Sequence, residues 1–141
     1  MPGMPLFASD AEVYEHVGRL MQDAVADDEL WEAIARTDAV VQLSVYEPGA
    51  VLSVRAIPGA ERQVELGPGR LQPDVVLRMN ADTLHLLLLG RLNPTVALAR
   101  GDVTTRGPAA KVLELVQLTQ PLAARYGPQL EAAGREDLAR A

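Results

Sequence analysis

Asp82 and His85 are the residue pair best placed to do acid–base chemistry. They lie three positions apart, a spacing that brings two side chains onto one face of a helix. A carboxylate beside an imidazole can orient the ring as a general base. However, Asp82 falls in the predicted first turn of a helix, where a carboxylate offsets the helix dipole, and no nucleophile can be located near the pair. We therefore favour a structural role, and a small enzyme using Asp82 and His85 stays an alternative hypothesis.

The other candidates for chemistry have simpler interpretations. His16 lies among Glu12, Glu15 and Arg19, away from the apolar stripe of its predicted helix, and we interpret it as a solvated side chain. The sequence has no cysteine, which excludes thiol catalysis, disulfides and thiolate metal sites. We expect no metal site, no cofactor and no enzymatic activity.

Charge argues against nucleic acid as a partner. The formal net charge is −6, from 13 basic and 19 acidic residues. The basic residues are scattered over different predicted elements, whereas a nucleic-acid-binding face clusters them. A negative chain is also repelled by anionic lipid surfaces. We therefore expect no nucleic acid partner, and at most transient membrane contact through an apolar patch.

The composition and the first residues bear on location. Residues 1–9 carry neither a basic side chain nor a long apolar run, so they do not resemble a secretory signal, and no stretch reaches transmembrane length. These observations predict a cytoplasmic protein. Arg greatly outnumbers Lys, whose one example is Lys111; with abundant Ala, this is typical of a GC-rich bacterial genome.

Hydrophobic periodicity predicts the elements that would position these residues. Ser9 to Glu12 form a capping box, which predicts the start of a helix. A second short helix is expected over 28–37. From residue 39 the apolar period changes to two, and strands are predicted at the following positions: 39–46 and 51–57 as a hairpin, then 62–66, 74–80 and 102–106. Because these strands are mostly consecutive in the sequence, we expect a meander.

Helical patterns return in the second half. Asn80 is a plausible N-cap for an apolar helix that stops at Gly90. Asn93-Pro94 opens a further short helix. Gly107-Pro108 starts a last one, which Pro121 should kink or split. Together the pattern predicts an α+β fold with a mostly antiparallel five-stranded sheet covered by helices on one face.

The predicted organisation is a single domain, as expected for 141 residues. We expect an N-terminal extension at 1–8, the domain itself at 9–126, and a polar, loosely held tail at 127–141. The run Leu84–Leu89 is apolar on nearly every side, more than one sheet can bury with a single stripe. Either an ordinary core with a homodimer or partner contact covers the excess, or an internal cavity accepts an apolar ligand.

The segment 74–118 resembles the sterol carrier protein 2 family. It has a strand at 75–79, an apolar helix ending at Gly90, the Asn93-Pro94 turn, and a short strand flanked by Gly101 and Gly107. The upstream helix and hairpin agree with the layout of this family, so the resemblance extends over 9–126.

The resemblance implies a tunnel between sheet and helices that carries a fatty acid, fatty acyl group, sterol or other lipid without catalysis. It implies an apolar lining at these positions: Val75, Leu77, Leu86, Leu89, Val96, Leu98, Val103, Val112, Leu113 and Val116. The helix from Pro108, hinged near Pro121, is expected to act as a lid.

Overall fold

The computed structural model describes residues 5–141. Half of the predicted N-terminal extension, residues 1–4, lies outside the described residues. The strands are β1 (Ala39–Tyr46), β2 (Ala50–Ala56), β3 (Gln63–Leu66), β4 (Val75–Asn80) and β5 (Val103–Arg106). Each lies within one or two residues of its predicted position.

The five strands form one mixed sheet in the order β3-β2-β1-β4-β5. Three neighbouring pairs are antiparallel, whereas β1 and β4 are parallel, with Val41 opposite Val75. The α+β fold and the mostly antiparallel sheet are confirmed. The expected meander is wrong at one step, because β4 crosses over to pair with β1 instead of continuing beside β3.

The N-terminal helical region has consecutive segments: α1 (Asp10–Val13), a π-helical turn (Tyr14–Gly18) and α2 (Arg19–Ala26). Ser9 caps α1 by accepting a hydrogen bond from the Glu12 amide. The Glu12 carboxylate in turn accepts from the Ala8 amide at 2.6 Å, one residue before the partner that a capping box normally uses.

The remaining helices are α3 (Asp28–Ala35), α4 (Ala81–Leu88), α5 (Pro94–Arg100), α6 (Ala109–Val116), α7 (Thr119–Ala132) and α8 (Glu136–Ala139). Asn80 and Asn93 cap α4 and α5 as expected. The helix from Pro108 is split, as predicted, into α6 and α7, but the break lies between Val116 and Thr119 and not at Pro121. Pro121 then lies in the first turn of α7, where no intrahelical N–H bond is lost.

The helices cover one face of the sheet. On β1, Val41, Leu43 and Val45 are buried, while the alternate position Tyr46 is 37 % exposed. Leu43 and Val45 belong to the main core, together with side chains from α2, α4 and α7. On the other face, the Arg78 guanidinium lies 4.9 Å from the centre of the Tyr46 ring.

The C-terminal segment differs from the loosely held tail that we expected. Leu130 is fully buried and Leu138 is 2 % exposed, both in the main core. Arg135 adds ion pairs to Glu12 at 2.6 Å and to Asp137 at 3.0 Å. The two leucines are the large apolar residues of the segment 127–141, and both are buried.

Candidate functional site

His85 is completely buried and forms a structural hydrogen-bonded centre. Its Nε2 lies 2.8 Å from the Leu138 carbonyl oxygen, and its Nδ1 lies 2.8 Å from the Tyr126 hydroxyl. A carbonyl oxygen only accepts, so Nε2 carries the proton and Nδ1 accepts from Tyr126. Burial lowers the pKa of His85 and raises the pKa of Tyr126 well above its usual range. The imidazole is therefore held neutral.

Asp82 does not orient His85. Its Oδ1 accepts a hydrogen bond from the Leu6 amide at 2.9 Å and thereby ties the N-terminal segment to α4. The neighbouring Phe7 packs edge-on against the His85 ring, with centroids 5.0 Å apart. Both members of the candidate acid–base pair thus have other hydrogen-bonding partners.

The prediction for His16 is wrong. Its side chain is buried, 3 % exposed, on the π-helical turn. The Arg135 guanidinium lies 3.5 Å from His16 Nε2, and Gln129 donates to the His16 carbonyl oxygen at 2.9 Å. Both covering residues lie more than 110 positions away in the chain, so local spacing gave no signal of them.

In residues 5–141, the part of the chain that the structure describes, no group of three or more His, Asp or Glu side chains is arranged to hold a metal ion. In the same range, no helix is long and apolar enough to cross a membrane.

An apolar cavity of about 150 Å³ lies between the sheet and the helices. The sheet provides its floor through inward-facing side chains of three adjacent strands: Val41, Leu43, Val54, Ala56, Leu77 and Met79. Strand alternation places them all on the helix-covered face. The cavity is therefore built from the same surface that forms the core.

Helices form the remaining walls of this cavity. α2 and α3 contribute Met21, Ala24, Val25 and Ile34, and the opposite wall, from α4, α6 and α7, includes Leu87, Leu115 and Thr119. Among the residues that the structure describes, Thr119 is the one polar side chain of the lining, and its hydroxyl already donates to the Val116 carbonyl oxygen at 2.9 Å. Within residues 5–141, no charged side chain lines this cavity. Such a space favours an apolar occupant.

A second cavity of about 60 Å³ adjoins the first one. Both are lined by Leu77, Met79, Leu87, Leu115 and Thr119. The smaller space extends under α5 and β5, towards Leu98 and Val103. The two cavities together follow the sheet beneath α6.

The ten expected lining residues separate into two groups of five. Leu77 lines both cavities, and four more line the smaller one: Leu98, Val103, Val112 and Val116. The other five lie outside both linings: Val75, Leu86, Leu89, Val96 and Leu113. Val75 is fully buried in a separate cluster, whereas Val96 and Leu113 are 43 % and 62 % exposed.

Sequence reasoning missed the wall formed by α2, α3, β1 and β2. The residues that resemble the family lie in the second half of the chain, so the predicted lining residues all lie there too. A usable signal was present in the alternation of Val41 with Leu43 and of Val54 with Ala56, because alternate residues of a half-buried strand face the same side.

This cavity-containing α+β fold defines the class of the protein, and sequence comparison supplies its family. The profile of the SCP-2 sterol transfer family matches residues 18–120, so the chain belongs to this family. Its domains are typically lipid-binding and usually non-catalytic. The match lies inside the expected domain 9–126, whose boundaries themselves stay a prediction.

Solved structures share the fold. The sterol carrier protein domain 2 of Helicoverpa armigera is 21 % identical with a TM-score of 0.65, and the match covers 87 % of this chain and 97 % of that one. Sterol carrier protein 2 from Yarrowia lipolytica, in its apo form, is 14 % identical with a TM-score of 0.62, covering 77 % and 90 %.

The fold also occurs inside an enzyme. A variant of a sec-alkyl sulfatase matches with 17 % identity and a TM-score of 0.50, covering 62 % of this chain but 13 % of the sulfatase. Among curated proteins, no sequence matches this chain significantly.

Proposed function

We propose that this protein binds a hydrophobic ligand non-covalently, with the apolar part of the ligand in the cavity between sheet and helices. The observation that carries the proposal is the cavity of about 150 Å³ with a lining that is apolar apart from Thr119. Its position between sheet and helices agrees with the lipid-binding character of the family.

Burial of apolar surface supplies the driving force. Each Å² of ligand surface removed from water contributes about 25 cal/mol. An apolar space of this kind does not hold water well, because a buried water needs two to four polar partners, and the Thr119 hydroxyl is already bonded to Val116. A ligand that fills the cavity therefore displaces little bound solvent.

The size of the space favours a flexible chain over a rigid ring system. Sites for compact drug-sized ligands usually have about 300–1,000 Å³, and an apolar cavity of about 150 Å³ accommodates a benzene-sized group. A linear acyl or isoprenoid chain can extend along the two adjoining cavities, whereas a fused-ring sterol would require the walls to separate. We therefore propose a fatty acyl or similar lipid chain.

α6 is the element that we propose as the lid. It has one buried side chain, Val112, and helical structure breaks off at Pro108 and at Gln117 on either side of it. The Lys111 ammonium fastens it to the carbonyl oxygens of Thr37 and Asp38, at 3.1 and 2.6 Å. An element with few buried contacts opens at low energetic cost.

Leu115 and Leu113 offer a matched test on α6. Leu115 lines both cavities, whereas Leu113 is 62 % exposed. Leu115→Trp should fill the space and weaken lipid binding at least about tenfold, equivalent to about 1.4 kcal/mol. The affinity is measured from the lipid concentration that displaces a neutral fluorescent probe. Leu113→Trp should change it less than about twofold. Equal effects of the two substitutions would contradict binding at this cavity.

A further inference from the structure

A surface cleft of about 550 Å³ lies beside the smaller cavity. One side is the loop between α4 and α5, at 90–93, and the other is the break between α6 and α7. Its lining is half polar and includes Asn93, Gln117, Thr119 and Gln120. The cleft thus differs chemically from both inner cavities.

The cleft and the two cavities share side chains. Leu87 and Thr119 line all three spaces, and Val116 lines both the smaller cavity and the cleft. The path from the surface to the interior therefore passes these side chains. It does so where helical structure is interrupted between Val116 and Thr119, which is where rotation of α6 away from α7 would widen it.

The polar groups at this mouth are largely uncharged. Arg91 is the one charged residue that the described part of the chain contributes to the lining, and its guanidinium already donates to the carbonyl oxygens of Ala139, at 3.0 Å, and Ala141. Asn93 is engaged as the α5 cap. The exposed carboxamides of Gln117 and Gln120 can both donate and accept, which matches a hydroxyl, ester or amide group.

We propose that the ligand is a single-chain amphiphile whose neutral, hydrogen-bonding head group lies in this cleft on Gln117 and Gln120, with its chain passing Leu87 and Thr119 into the cavities. This inference rests on the proposed binding function and adds the entrance and the head-group class. The described residues of the cleft offer a carboxylate head no cation devoted to it, because Arg91 holds the C-terminal segment.

The test compares 1-decanol with decanoate, which have chains of equal length. Each is titrated into a complex of the full chain with the neutral probe N-phenyl-1-naphthylamine, and displacement of the probe is measured. The titrations are made at about pH 8, where decanoate is ionised, with and without about 0.3 M NaCl. The protein variants are wild type, Gln117→Ala/Gln120→Ala, and a control in which two other exposed glutamines are replaced, Gln22→Ala/Gln72→Ala.

The wild type should bind decanol at least as tightly as decanoate, without dependence on salt. The Gln117→Ala/Gln120→Ala variant should lose about fivefold or more in decanol affinity, as expected for neutral hydrogen bonds, while the control variant binds like wild type. Unchanged decanol binding by the test variant would overturn the head-group site. Tighter, salt-sensitive binding of decanoate would also overturn it and point to Arg91. If neither ligand displaces the probe from wild type, the binding function itself fails.

Discussion

His85 on α4 and Leu138 on α8, 53 positions apart, are joined by a hydrogen bond of 2.8 Å between Nε2 and the carbonyl oxygen. Tyr126 completes the centre from α7. A neutral imidazole therefore connects the helix that lines the cavity to the end of the described chain, and its protonation state affects stability.

Lowering the pH should destabilise the fold through His85. Burial lowers the pKa of His85 in the folded state, so the unfolded chain takes up the proton first. The contribution of His85 to stability is thus fully present above about pH 6.5 and decreases as the pH falls below this value, by up to about 1.4 kcal/mol per pH unit. Urea unfolding between about pH 8 and pH 5 measures this slope.

One variant identifies the source of the slope. His85→Phe should flatten it, and at about pH 8 should lower stability by about 1–3 kcal/mol because the buried Tyr126 hydroxyl loses its partner; this difference from wild type should shrink as the pH falls. The pKa values of Glu12 and Asp137 are also lowered, through hydrogen bonds, so these groups add a loss only at more acidic pH. A slope that survives in His85→Phe would contradict this assignment.

Leu138→Ala should lower the free energy of unfolding by about 2–5 kcal/mol, because a buried leucine leaves a cavity when truncated. Leu138 is 2 % exposed in the main core. Leu113→Ala, at a position 62 % exposed, is the control and should cost less than about 0.5 kcal/mol. Chemical denaturation of both variants measures the difference; similar small losses would mean that the C-terminal segment is not part of the core.

Ala56→Val should stabilise the ligand-free protein and weaken ligand binding. Ala56 lines the larger cavity, and filling unused space commonly adds about 0.5–2 kcal/mol. Its cross-strand partner Ala39 is fully buried but lines neither cavity. Ala39→Val should therefore overpack and destabilise by about 1–3 kcal/mol. Thermal unfolding and probe titration test the pair, and loss of stability in Ala56→Val would argue that the space is not available.

Gly107→Ala should be far more damaging than Gly101→Ala, although both glycines have positive φ, +123° and +80°. A Cβ at Gly107 would lie 2.6 Å from the Asp74 carbonyl oxygen, whereas a Cβ at Gly101 would meet nothing within 4 Å. Gly101→Ala thus costs backbone strain alone, about 1 kcal/mol. Gly107→Ala adds a clash with backbone and should cost about 3 kcal/mol or more. Equal losses in urea unfolding would refute the steric argument.

The secondary structure could be predicted well because its signals are local. Capping residues such as Asn80 and Asn93 and the period-two run of β1 depend on neighbours in sequence. The parallel pairing of β1 with β4 could not be predicted, since alternation fixes which face a strand buries but not which strand lies beside it.

The errors at the candidate site also arise from contacts between residues that are far apart in the sequence. His16 looked solvated because Gln129 and Arg135, which cover it, follow more than 110 positions later. Leu138 looked like part of a tail because its core partners lie elsewhere in the chain. Leu113 and Leu115 are both leucines of α6, so their residue type cannot distinguish them. The orientation of the helix decides that Leu115 faces the cavity.

Native mass spectrometry of the purified protein, followed by organic extraction, tests the central claim most directly. We expect a complex of one 15.1 kDa chain with one lipid, and an extract containing a single-chain lipid. A ligand-free mass of twice that value, together with no probe displacement by lipids, would contradict the account and favour a homodimerising interaction module.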